Sequence, residues 1–185
     1  MLNEYRYRSV YKGNGKYFNA DGSVNPAGGP KGGMIRTEED MNWVKAMMDA
    51  GYKFKPGNSI GKANIYYGDY IYADVNGDGV YGDSDDEEFQ GRSKTPKYNF
   101  GFQASAAWNG FDISMVWAGA AGFDIYWGPT AGYNAAKTEW GNNIAQRIAD
   151  DHYFYDPSNP DDPRTNINGK YPRMTYLDGN VQNNA

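Results

Sequence analysis

The feature that most constrains this chain is a strict two-residue alternation that runs into an Asn-Gly pair and out again. From Lys97 to Trp108, the residues Tyr98, Phe100, Phe102, Ala104, Ala106 and Trp108 fall on one side. Asn99, Gly101, Gln103, Ser105 and Ala107 fall on the other. A period of two is the period of a strand, whose successive side chains point to opposite faces. Asn109-Gly110 follows, a pair suited to positive φ at both central positions of a two-residue hairpin turn. The return segment puts Phe111, Ile113, Met115 and Trp117 on one face and Asp112, Ser114, Val116 and Ala118 on the other. Such a turn fixes the register. It pairs Trp108 with Phe111, Ala106 with Ile113, Ala104 with Met115 and Phe102 with Trp117, while Ser105 meets Ser114 and Gln103 meets Val116 on the opposite face.

The length of the hairpin narrows the choice of surroundings. Twelve residues at about 3.3 Å each span roughly 40 Å, and a tilt of about 45° leaves a rise of roughly 28 Å. That is close to the apolar band of about 25 Å on an outer-membrane barrel, whereas strands of soluble domains more often have about 5–6 residues. Aromatic residues stand at both ends of the apolar face, Trp108 and Phe111 by the turn and Tyr98, Phe100 and Trp117 towards the other end. Two readings stay open. In a barrel, Phe100, Phe102, Ala104, Ala106, Trp108, Phe111, Ile113, Met115 and Trp117 face lipid, the short turn faces the periplasm, and the flanking segments are extracellular loops. In a soluble sandwich the same face lies against a second sheet.

Composition agrees with β structure joined by polar connections. Of 185 residues, 16% are aromatic and 24 are Gly, which suits strands and turns. The mean hydropathy of -0.83 does not argue against a barrel, because only alternate strand residues meet lipid. No run of about 18 apolar residues is present, so no transmembrane helix is expected. The net charge is -5, without a basic block, and nucleic acid is not expected as a partner. With no Cys, disulfides, thiolate zinc sites and cysteine nucleophiles are excluded. Met1-Leu2 leads straight into Asn3-Glu4-Tyr5-Arg6 without a signal-peptide pattern. The chain is therefore expected to be either cytoplasmic or an internal piece of a longer protein.

The other segments carry weaker signals. Residues 4–11 alternate Tyr with charge and read as a strand or strand end. Residues 13–33 are rich in Gly, Asn and Pro and read as a long irregular loop. Thr37-Glu38-Glu39-Asp40 looks like a capping box, followed by Met41, Val44 and Met48 at helical spacing. Trp43 and Met47 widen that stripe, and Gly51 stops it. A second helix is expected around 135–149, where Ala136, Trp140, Ile144 and Ile148 are four apart.

Residues 74–85 match the front of an EF-hand-type loop. Asp74, Asn76 and Asp78 take positions 1, 3 and 5, Gly79 the sharp turn at position 6, Val80 the carbonyl ligand at 7, and Asp85 position 12. Calcium needs several oxygens at once, which this spacing can wrap around it. Position 12 holds the shorter Asp instead of a bidentate Glu. The expectation is a structural calcium site, with a plain Asx/Gly turn as the alternative.

An enzyme is not expected. The single histidine, His152, sits within Asp150-Asp151-His152-Tyr153 without a partner set for catalysis, and the acidic clusters fall in turn-like sequence.

Several runs resemble the late barrel region of SusC/RagA-like TonB-dependent receptors. They are Gly68-Asp69, Tyr72-Ala73-Asp74-Val75-Asn76-Gly77-Asp78-Gly79, Pro96-Lys97-Tyr98-Asn99-Phe100-Gly101, Gly110-Phe111-Asp112-Ile113-Ser114-Met115 and Gly119-Ala120-Ala121-Gly122-Phe123-Asp124-Ile125-Tyr126. Upstream, Gly33-Met34-Ile35-Arg36-Thr37-Glu38-Glu39 looks like that family's loop entering a short helix. Downstream, Lys170-Tyr171-Pro172-Arg173-Met174 resembles its late proline-containing loop. The resemblance covers about Gly33 to Met174.

It implies a mainly β fold: a partial antiparallel transmembrane β-barrel whose long extracellular loops carry one or two short helices. The corresponding segments are 1–68 (strand end and loop with helix), 69–96 (calcium-like loop), 97–122 (transmembrane hairpin) and 123–185 (extracellular loop). It also implies an outer-membrane transporter that imports glycans or peptides with a SusD-like surface lipoprotein and the TonB complex. A full-length parent would add a signal peptide, a plug domain and further strands. The alternative is a soluble, secreted, calcium-stabilised carbohydrate-binding module, in which exposed Trp127, Tyr133, Trp140, Tyr153 and Tyr155 stack on sugars.

Overall fold

A computed structural model of the chain describes residues 4–125 and 145–174. In chain order the elements are β1 (Glu4–Arg8), α1 (Glu38–Asp49), β2 (Lys53–Phe54), β3 (Val80–Tyr81), β4 (Glu87–Ser93), β5 (Tyr98–Trp108), β6 (Phe111–Ala121) and α2 (Gln146–Ala149). The structure is mainly sheet with few helices. Among the described residues the strands form three two-stranded sheets, β1 with β4, β2 with β3 and β5 with β6, and no closed barrel. No helix of the described residues is long and apolar enough to cross a membrane. Contacts gather the chain into two units, Met1–Tyr7 with Phe89–Tyr126, and Arg8–Glu88 with Trp127–Ala185.

The second unit owes its core to α1 and the irregular chain around it. Thr37 caps the helix: its hydroxyl accepts from the Asp40 N–H while the Asp40 carboxylate accepts from the Thr37 N–H. This closes the expected capping box, and Glu38, Glu39 and Asp40 place negative charge at the positive end of the helix dipole. At the other end Gly51 has φ 96°. Tyr52 N–H reaches the Met47 carbonyl and Gly51 N–H that of Met48, a Schellman stop that satisfies two carbonyls the helix leaves open.

Trp43, Val44 and Met47 are fully buried with Ile35, Phe54, Ile65 and Ile71, and Met41 and Tyr81 complete the cluster. The expected helical stripe thus packs inward, with Trp43 and Met47 deeper than Met48, which is only half-buried.

Residues 13–33 contain no regular element, yet they wrap the core rather than hang free. The Trp43 indole N–H donates to the Asn25 carbonyl at 2.9 Å. Gly29, at φ 77°, lies so close to the Trp43 ring that a Cβ there would meet it at 2.9 Å. A glycine is required twice over at that position, for its backbone and for its missing side chain.

The hairpin unit follows the sequence pattern residue for residue. β5 and β6 pair antiparallel from Trp108↔Phe111 to Tyr98↔Ala121, including Ala106↔Ile113, Ala104↔Met115 and Phe102↔Trp117. The turn residues Asn109 and Gly110 have φ 47° and 83°, the positive pair a type I′ turn needs. The Phe100 ring lies over Gly119 on the partner strand, where a Cβ would come within 2.4 Å of it.

The expected strand at 4–11 is shorter than its pattern: β1 ends at Arg8, and Val10 forms an isolated bridge to Tyr72. The expected helix at 135–149 is described only as the single turn α2, with Ile148 buried. Ala136, Trp140 and Ile144 lie outside the described residues.

Candidate functional site

Three places carry chemistry beyond ordinary packing: the hairpin face, the acidic turn, and a junction that joins distant loops.

On the hairpin the anticipated lipid-facing side chains stand open. Trp108 and Phe111 are 77% and 73% exposed, and Phe100, Phe102, Ile113, Met115 and Trp117 are exposed with them. Ala106 is also exposed and Ala104 is half-buried. The Phe102 and Trp117 rings meet edge to face at 6.3 Å across the strands. The opposite face, from Asn99 and Gln103 to Ser114 and Val116, is exposed as well. Backbone groups inside the ladder are satisfied by the partner strand, so the side chains are free to face a solvent of their own kind. Eleven residues per strand, at about 3.3 Å each and tilted by about 45°, rise roughly 26 Å.

The acidic turn is closed by its own donors. Asp74 accepts from Gly77 N–H at 2.6 Å and Gly79 N–H at 2.9 Å. Asn76 accepts from Asp78 N–H, and Asp78 from Val80 N–H. The remaining closure comes from a residue that the spacing passed over. Asp86 is 1% exposed, and its carboxylate accepts from Val75, Asn76 and Gly82 N–H at 2.6, 3.3 and 2.7 Å. Asp85, the expected twelfth position, is exposed. Among the described residues no group of three or more His, Cys, Asp or Glu side chains gathers to hold a metal ion. The turn feeds β3, which pairs parallel with β2 just beyond α1, so the acidic loop is anchored in the core by Tyr81.

The junction gathers three sequence runs quoted above. Asp69, fully buried, takes a two-pronged grip from Arg173, Nε to Oδ1 at 2.7 Å and Nη2 to Oδ2 at 3.0 Å. Tyr66 N–H adds a third bond to the carboxylate. Main-chain bonds run alongside, Ile35 N–H to the Asp69 carbonyl and Arg173 N–H to the Gly68 carbonyl. Arg36 reaches the carbonyls of Ile167 and Gly169. Burial outweighs the guanidinium and raises the Asp69 pKa to about 6, so the pair is ionised at neutral pH and the carboxyl takes a proton in mild acid.

Tyr153 also belongs to this junction, which corrects an expectation. It is 1% exposed, and its hydroxyl donates to the Arg36 carbonyl at 2.8 Å, so it offers no open face to a sugar. Its ring fills the space beside Gly68. Tyr155 is half-buried, while Trp127, Tyr133 and Trp140 lie outside the described residues. The His152 Nδ1 sits 2.7 Å from the Ala149 carbonyl. Sequence reasoning missed Asp86 and the Asp69–Arg173 pair. The latter joins residues 104 positions apart, and no local pattern encodes that distance.

No protein-family model matches the chain, and neither a curated protein nor a solved structure matches it.

Proposed function

We propose that this chain is part of a SusC-like, TonB-dependent outer-membrane transporter, with β5 and β6 as two neighbouring wall strands. One observation carries the reading: a register-locked hairpin of barrel length whose aromatic and aliphatic face is open along its whole extent. In water such a face is a liability, and in a bilayer it is the solvated side. In this reading the Asn109-Gly110 turn faces the periplasm, and the unit built around α1 is an ordered extracellular loop assembly. The parent protein imports glycans or peptides with a SusD-like lipoprotein, drawing energy through TonB. Calcium belongs to the proposal as a staple of the acidic turn, held by Asp74, Asn76, Asp78, the Val80 carbonyl and Asp85.

The test is site-directed spin labelling of the full chain in lipid bilayers. Labels at Phe102, Ala104 and Met115 should be reached by oxygen and shielded from a water-soluble nickel reagent. Labels at Ser105 and Ser114 should show the reverse. If the first three sit in a dry protein interior without any amphiphile, the transporter reading is wrong and the soluble carbohydrate-binding module replaces it.

A further inference from the structure

The unit built around α1 holds a cleft of about 270 Å³ between the segment of Tyr66 and Tyr67 and the segment of Phe154 and Tyr155. Tyr67 meets Tyr66 at 5.3 Å and Tyr155 at 5.4 Å, with ring planes 80° and 76° apart. Three rings set edge to face form a corner that presents aromatic surface in two directions. Past Phe154 and His152, which belong to both walls, lies a second cavity of about 330 Å³ with Arg164 and Asn166 at its border. Together they make a two-chambered groove with an aromatic first chamber and a polar second one.

The charges along this groove are already matched. Arg173 is held by Asp69, and Arg164 by Asp162 through bonds of 2.9 and 2.7 Å. Asp156 Oδ1 accepts from the Ser158 N–H and hydroxyl, which leaves its second oxygen to accept from a ligand hydroxyl. Lys62 lies 6.0 Å from the Tyr66 ring centre. A charged ligand would find little uncompensated charge to pair with. The wall's main-chain donors are used too: Tyr66 N–H by Asp69, Tyr153 N–H by the Tyr171 carbonyl and Phe154 N–H by the Asn166 carbonyl. A peptide, which binds largely through its backbone, would find no strand edge here. What remains is ring surface for C–H groups and side-chain oxygens and nitrogens for hydroxyls, the few placed polar groups that fix orientation in an apolar site.

We propose that this groove binds a neutral saccharide, one ring seated in the corner of Tyr66, Tyr67 and Tyr155 and the next unit passing towards Arg164 and Asn166. The site stands on its own unit and does not depend on the hairpin meeting lipid.

The experiment is saturation-transfer NMR on the full chain in dodecylphosphocholine, whose headgroup carries no sugar to compete. Glucose, N-acetylglucosamine, cellobiose and maltose are the probes, with glucuronate and the peptide Gly-Tyr-Gly beside them. At least one neutral sugar should receive saturation at its ring C–H protons, a disaccharide more strongly than its monomer. Tyr155→Leu, which keeps bulk and removes the aromatic face, should weaken that sugar about tenfold. Phe18→Leu, at an exposed aromatic outside the groove, should leave affinity unchanged, and far-UV circular dichroism should show both variants folded. Tyr67→Leu gives a second reading of the same corner should Tyr155→Leu fail to fold. Saturation of no neutral sugar, preference for glucuronate or the peptide, or equal weakening by Phe18→Leu would each overturn the proposal.

Discussion

The two units spend the same residues in opposite ways. Around α1, aromatic rings are turned inward and their polar tips tie down irregular chain. Trp43 holds the Asn25 carbonyl, the Tyr11 hydroxyl lies 2.7 and 2.8 Å from the carbonyls of Pro26 and Gly28, and Tyr153 holds Arg36. Burial pushes the Tyr11 pKa up to about 12, so the hydroxyl keeps its proton and remains a donor. On the hairpin the rings point outward and tie down nothing. The difference follows from the backbone. A regular ladder satisfies its own N–H and C=O groups and can leave its side chains to a non-aqueous solvent, whereas a loop-built core must recruit side-chain donors for its carbonyls. An aromatic-rich sequence therefore does not say which way its rings face until the regularity of the chain around them is known.

The sharpest way to break that contrast is truncation on each side. Trp43→Ala should cost about 3–5 kcal/mol, because it opens a cavity in a closed core and frees the Asn25 carbonyl. Phe102→Ala, an equally drastic deletion on the hairpin, removes mainly one cross-strand ring pair and should cost about 0.5–1 kcal/mol in detergent. Thermal unfolding of both variants under identical conditions decides. Equal losses would mean that the hairpin face is packed.

Arg173→Met tests the junction and should cost about 3–5 kcal/mol near pH 8, since it strands a buried carboxylate. The sign with pH is set by Asp69, whose folded pKa of about 6 lies above the ordinary 3.8. A raised carboxyl gives its contribution to stability in full below the unfolded value and loses it as pH climbs through the folded value. The wild-type contribution therefore falls from about pH 4 to pH 6 and then levels off. Without the guanidinium, which lowers the Asp69 pKa, the fall continues to higher pH. The deficit of Arg173→Met should thus widen above pH 6, as read from denaturant midpoints at pH 5, 7 and 8. A deficit independent of pH would show that the guanidinium acts only as packing.

How much of this was legible depends on the range of the interaction. The hairpin register was readable to the residue because Asn109-Gly110 fixes it locally and the alternation repeats it along both strands. The helix was readable because Thr37, Asp40 and Gly51 mark its ends within one turn. The core of residues 13–33 was not, since no period runs through glycines and asparagines that pack one at a time against Trp43. Nor was Asp86. An acidic run offers several carboxylates a residue apart, and choosing the one that turns inward requires knowing where Val75 and Gly82 N–H groups point. Tyr153 and Tyr155 look alike in sequence, and only the backbone, two residues on, sends one in and leaves the other at the surface.

A charge on the hairpin separates lipid from water more cleanly than any truncation. Met115→Arg sits midway along β6 on the apolar face, and in a bilayer it should cost about 2–4 kcal/mol. The same change at a water-exposed strand site would cost within about 0.5 kcal/mol. Ser105→Arg on the opposite face is the internal control and should be tolerated. Reconstitution yield and resistance to heat unfolding in lipid measure both. A tolerated Met115→Arg would remove lipid from that face.

The smallest effects divide the acidic turn between two neighbouring carboxylates. Asp86→Asn removes the charge that three N–H groups share and places a donor where only donors converge. It should cost about 1–3 kcal/mol with or without calcium. Asp85→Asn lies at the surface and should change stability without calcium by less than about 0.5 kcal/mol. Calcium at about ten times a millimolar dissociation constant, the range of extracellular modules, would add about 1.4 kcal/mol to the wild type. If Asp85 supplies the final ligand, its Asn variant loses that increment while Asp86→Asn starts lower and keeps part of it. If calcium raises the melting temperature of neither wild type nor variants, the turn is an Asx/Gly connection held shut by Asp86 alone, and the cation leaves the account of how the acidic loop is anchored beside α1.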